Sequence, residues 1–190
     1  MVFCLSNLWK SFTNWLKARR LRKLERKHTA YHEAGNAVVA HYLGLRVEHI
    51  FIFKNRQNRL QSFARSSFQT NAENESREST IFKEITVLLA GKASEEMFMN
   101  SVERGSKKLI NAWCRANFLV TNYDIRTLIG RENYGQSFDE RVNIVLQKAY
   151  TNAWYVLCEH KAKVERLALV LQKEDQLFER KIKAIINGNK

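Results

Sequence analysis

Apolar residues recur at helical spacing along most of this chain and alternate in only one stretch, which predicts a mainly helical protein with a small β-sheet. Leu5, Leu8, Trp9, Phe12, Trp15 and Leu16 fall on one face of an N-terminal helix. A second helix is expected from Thr29, which reads as its N-cap, to about Leu43, with Gly44 as the stop signal. Residues 47–53 (VEHIFIF) read as a strand, and 60–68 as a second strand across the polar turn at 54–59. Residues 69–79 are polar and loop-like. Helical spacing returns at 80–99, where Ile81, Ile85, Leu88, Leu89 and Met97 share a face, and again at 106–123. Beyond a Gly-containing connection at 130–137, helices are expected at 138–159 and 161–172, followed by a tail helix at 175–186. Val142, Leu146, Ala149, Ala153 and Val156 form the apolar stripe of the first of these.

Composition sharpens this picture. Proline is absent from all 190 residues and Gly numbers only 7, which favours long uninterrupted helices. With 45% hydrophobic and 27% charged residues the chain has a globular profile, and its length fits one domain or one domain with a tail. No stretch reaches the roughly 18 apolar residues of a spanning helix. Cys4, Cys114 and Cys158 are far apart with no CxxC spacing, so neither a disulfide framework nor a thiolate zinc site is indicated, and a reducing compartment is the default.

The net charge of +13 is unevenly placed. Residues 1–27 contain eight basic side chains against the single acid Glu25, just behind the apolar stripe that carries Trp9, Phe12 and Trp15. That combination describes an amphipathic surface helix able to engage an anionic membrane, a partner protein or its own domain, or to act as a mitochondrial-type presequence. A secretory signal peptide is disfavoured because Asn7, Lys10, Ser11 and Thr13 interrupt the apolar run. Nucleic acid is the weaker partner class, since no nucleic-acid motif accompanies the charge.

The chemistry-bearing stretch is Ala30 to Ala40, AYHEAGNAVVA. Zinc peptidases use His-Glu-x-x-His on a helix: residues four apart share a face, so two imidazoles grip the metal while the Glu activates its water. Here His32 and Glu33 are present and the second His position holds Asn36. A lone His-Glu pair is by itself unremarkable; taken alone it reads as a surface or half-buried pair.

The longer pattern carries more. Thr29 to Gly44 (TAYHEAGNAVVAHYLG), Val47 to Arg56, Ile85 to Phe98 (ITVLLAGKASEEMF), Ser106 to Gly130 and Ser137 to Gln172 together resemble the FtsH-type AAA zinc metalloproteases in order and spacing, over roughly residues 27–186. The resemblance implies an FtsH peptidase-domain-like helical fold over residues 28–190, with residues 1–27 as an added basic amphipathic arm. No GxxxxGK[ST] P-loop occurs and about 27 residues precede the peptidase-like part, so no ATPase module is expected in this chain.

The resemblance also assigns a site. His32 falls on a family zinc ligand and Glu33 on the general base, whereas Asn36 and Lys108 stand at the other two ligand positions. An amide oxygen is a poor zinc ligand and an ammonium has no lone pair to donate. Lys108 could instead supply the positive charge that Glu33 would otherwise lack, or point to solvent from the start of its helix. His28, four residues before His32, offers a substitute ligand if the helix is continuous, but a cap at Thr29 disfavours it. His41, His49 and His160 read as structural or solvated. The leading expectation is therefore an inactive peptidase-like protein with no cofactor, acting as a scaffold, assembly subunit or peptide-binding module. Its partners would be a second copy, an active relative or a larger assembly. The runner-up is an active zinc metalloendopeptidase with unconventional ligands; a membrane- or nucleic-acid-associated role for the basic arm is a third reading, and with it a membrane-peripheral or organellar location.

Overall fold

The structure, a computed structural model, describes residues 2–54, 60–67, 76–99 and 107–188, the side chains of residues 2–13, 60, 61, 63–67 and 107 excepted. It is mainly helical with one small antiparallel sheet, as the periodicity predicts.

Helix α1 runs without a break over Val2–Tyr42. This corrects the two-helix expectation: Thr29 is no cap. Its hydroxyl donates to the Glu25 carbonyl one turn back, the mid-helix habit of a threonine. The helix ends where Gly44 predicts. Gly44 takes a positive φ of 77°, Leu45 N–H returns to Ala40 O at 2.9 Å and Gly44 N–H to His41 O at 3.1 Å, the paired bonds of a Schellman motif.

Strand β1 (Arg46–Lys54) buries Val47, Ile50 and Ile52 and pairs antiparallel with β2 (Leu60–Ser67), with a bulge between Val47 and His49. Helix α2 (Arg77–Met99) is buried on nearly every side, because Val87, Ala90 and Ala93 pack with α1 while Ile81, Ile85 and Leu89 pack with a second cluster. That second cluster is completed by α3 (Lys107–Asn122), α4 (Arg126–Ile129) and α5 (Phe138–Glu159). Ser137 caps α5 in a full capping box with Glu140. The buried stripe of α5 is Val142, Val145, Ala149, Ala153 and Leu157; Leu146 and Val156, expected there, are only partly buried. The connection expected at 130–137 contains a 3-10 turn at Arg131–Asn133.

The tail departs most from expectation. After α6 (Lys161–Leu171), Gln176–Phe178 forms a third strand, β3, and only then does α7 (Glu179–Asn187) begin. β3 pairs with β1 opposite β2, giving the order β2-β1-β3 and burying Leu177 against Ile50.

Two glycines set how closely α1 and α2 approach. A Cβ on Gly35 would come within 2.4 Å of Ser94 Cβ, and one on Gly91 within 2.4 Å of His32 Nε2. The helices therefore cross at near-backbone contact, with Ser94 Oγ donating to Tyr31 O at 2.7 Å. This crossing holds the His-Glu face of α1 in place.

Candidate functional site

The site lies where the middle of α1 meets α2, β2 and the start of α3. Glu33 is fully buried, and three side chains from three elements converge on its carboxylate. Lys108 Nζ, in the first turn of α3, donates to Oε1 at 2.7 Å; Ser62 Oγ, on β2, donates to the same oxygen at 2.6 Å; Asn36 Nδ2, one turn along α1, donates to Oε2 at 3.4 Å. Asn36 is itself buried, and its Oδ1 has no hydrogen-bond partner among the described residues.

The electrostatics follow from this convergence. Burial on its own would raise the Glu33 pKa, but the Lys108 ammonium, the His32 imidazole and the hydrogen bonds from Lys108 and Ser62 outweigh it and hold the group at about 2. Glu33 is thus a firmly ionised carboxylate. An anion beside the first turn of α3 also complements the positive end of that helix dipole, which a lysine alone in that turn would oppose.

His32 faces a different partner. Its Nδ1 lies 2.5 Å from Glu95 Oε1 on α2, within hydrogen-bond distance. Because α1 is continuous, His28 lies on the same face, with its Nδ1 3.9 Å from Glu95 Oε2. Glu95 thus sits between two imidazoles one turn apart. Among the described residues, no group of three His, Cys, Asp or Glu side chains is arranged to hold a metal ion.

The remaining histidines stand elsewhere. His41 is pushed below its ordinary pKa, first by burial and then by the Lys183 ammonium. His160 stacks on Tyr42 with ring centroids 3.5 Å apart, and His49 lies beside Phe51 at 4.8 Å. Of the arm residues, Trp15 is 50% exposed, while the side chains of Trp9 and Phe12 lie outside the described residues.

The structure therefore brings together His32, Glu33, Asn36 and Lys108 and adds Ser62 and Glu95. Glu95 was visible in sequence only as part of the Ile85 to Phe98 stretch, without a role. Ser62 carries no local signal at all, since nothing in a strand sequence says which α1 residue its side chain will meet.

Residues 19–137 match the family model described as Peptidase family M41. The chain is 27% identical to the ATP-dependent zinc metalloprotease FtsH of Halothermothrix orenii over an alignment covering 80% of this chain and 28% of that protein. It is 26% identical to the ATP-dependent zinc metalloprotease FtsH 2 of Methylacidiphilum infernorum, covering 93% of this chain and 32% of that protein. The FtsH of Thermus thermophilus is 24% identical, with 90% and 31% covered. The chain thus spans about a third of the length of these relatives.

Proposed function

The chain belongs to peptidase family M41, and from that premise we propose that it is a peptidase-like module in which an internal ion pair has replaced the zinc centre, so that it acts by binding and assembly instead of cleavage. One observation carries this reading: the Lys108 ammonium lies 2.7 Å from the Glu33 carboxylate at the position where the resemblance puts a metal ligand. A zinc ion requires donors with lone pairs, and the residues at the family's three ligand positions are one imidazole, one amide and one ammonium. This donor set does not fit zinc in the family geometry. Glu33, held at about 2 and hydrogen-bonded by two cationic or hydroxyl donors, is also a poor base for activating water.

The binding side of the proposal rests on the sheet. Among the described residues β2 is an edge strand in the order β2-β1-β3, and its Ser62 reaches Glu33, so an extended peptide adding to that edge would run past the Glu33–Lys108 pair. Main-chain pairing needs no metal. A second copy, an active relative or a larger assembly could equally be engaged through the helical faces, in keeping with the family.

Elemental analysis of the purified protein, combined with a cleavage assay on an unfolded protein substrate, tests the proposal. The expected result is far less than one zinc per chain and no cleavage. Stoichiometric zinc with chelator-sensitive cleavage that disappears on Glu33→Gln would overturn it; if that zinc were also lost on His28→Ala, the chain would be an active metallopeptidase with unconventional ligands.

A further inference from the structure

Residues 14–25 of α1 are exposed without exception, and exposure first falls at Arg26. There the guanidinium donates to the Gln172 carbonyl at 2.7 Å, to the Leu171 carbonyl at 3.2 Å and to Asp175 at 2.7 Å, fastening α1 to the C-terminal end of α6. N-terminal to that fastening the exposed residues 14–25 project from the body of the domain over roughly 18 Å at 1.5 Å per residue, and the helix continues to Val2. A helix held mainly by its own hydrogen bonds is marginal in water and gains stability from a surface that covers its apolar side.

The projecting segment has two kinds of exposed chemistry. Lys17, Arg19, Arg20, Arg22 and Lys23 are exposed cations with only Glu25 opposing them. Trp15, Leu16, Leu21 and Leu24 are 50%, 43%, 60% and 48% exposed, and the Arg19 guanidinium lies 5.5 Å from the Trp15 ring centroid. Trp15 and Leu16 continue the sequence stripe of Leu5, Leu8, Trp9 and Phe12 on one side of the helix axis, and the cations follow immediately. Tryptophan beside arginine at an apolar-to-basic junction suits the interfacial layer of a bilayer, where the ring sits among headgroups and the cations reach phosphate. Among the described residues, no helix is long and apolar enough to cross a membrane, so the segment would lie on the surface.

We propose that the projecting N-terminal half of α1 docks this domain on an anionic lipid surface, with Trp15 and Leu16 inserted into the interface and Lys17, Arg19, Arg20, Arg22 and Lys23 paired with acidic headgroups. The choice of lipid over nucleic acid rests on the large exposed apolar side chains, which phosphate backbones do not need. It goes beyond the peptidase-like reading, because it uses no residue of the Glu33 site.

The test is co-sedimentation of the full chain with vesicles of phosphatidylcholine alone and of phosphatidylcholine containing about a third phosphatidylserine. Binding is expected to the anionic vesicles and not to the zwitterionic ones. Replacing Trp9, Phe12 and Trp15 by Ala should weaken it by about tenfold or more, and Arg19→Glu with Arg20→Glu and Lys23→Glu should abolish it. Circular dichroism of each variant reports whether the domain remains folded. Three results would each overturn the proposal. The first is equal binding by the wild type and the triple-alanine variant. The second is salt-steep binding to a DNA duplex without vesicle binding. The third is a concentration-dependent dimer that forms through Trp15 in place of any vesicle binding.

Discussion

Lys108 Nζ stands 2.7 Å from Glu33 Oε1, tying the first turn of α3 to the buried face of α1 across 75 residues of chain. Glu33 is fully buried and Lys108 27% exposed, so removing the lysine leaves a carboxylate stranded in the core while removing the glutamate leaves an ammonium that can reach water. Lys108→Met is therefore expected to destabilise the fold by about 3 kcal/mol, and Glu33→Gln by less. The double variant should be closer to wild type than the sum of the two, a coupling that a urea-denaturation cycle measures directly.

Acid titration should expose the same pair. Glu33 has its folded pKa lowered from 4.5 to about 2, so its ionisation contributes stability that is complete above the ordinary carboxyl range and disappears as pH falls from about 4.5 toward about 2. Asp124 and Glu179 are also held at about 2, so the Glu33 share is obtained by difference. The stability gap between wild type and Glu33→Gln should narrow across that interval; a gap independent of pH would show that Glu33 is not ionised in the fold.

Placing zinc donors at the positions that the proposed reading assigns to lost ligands is the complementary experiment. Asn36→His with Lys108→Asp places an imidazole one turn from His32 and a carboxylate in the first turn of α3, and tight zinc binding is expected to appear in the double variant alone. A folded double variant that binds zinc no better than the wild type would mean that the site has lost more than its ligands.

Gly91 offers a test of how His32 is held. A side chain there would need to occupy space within 2.4 Å of His32 Nε2, so Gly91→Ala should push the imidazole away from Glu95 and cost about 1–3 kcal/mol in thermal or urea unfolding. In a His32→Ala background the same substitution should cost much less, because the clash has been removed.

Local signals carried much of this protein. The Gly44 stop, the alternation of Val47 to Phe53 and the helical spacing of α2, α3, α5 and α6 are short-range effects, in which each residue's backbone preference and its neighbours' burial agree. The family was likewise readable, since it depends on order and spacing alone, and His32, Glu33, Asn36 and Lys108 were singled out on the same basis. Tertiary structure decided the rest. Thr29 could cap a helix or sit inside one, and its local signal is the same in both cases. What chose was helix continuity through Lys27 and His28, which set His28 on the His32 face beside Glu95. β3 is three residues long, too short for any period, and exists because β1 offers Leu177 a buried place beside Ile50. Ser62 and Glu95 acquire their roles only from the crossing of α1 with β2 and α2, at distances that sequence separations of 29 and 63 residues do not encode. Composition and periodicity determine which surfaces are apolar. Which side chain meets a buried charge is a property of packing, and here packing set Lys108 against Glu33.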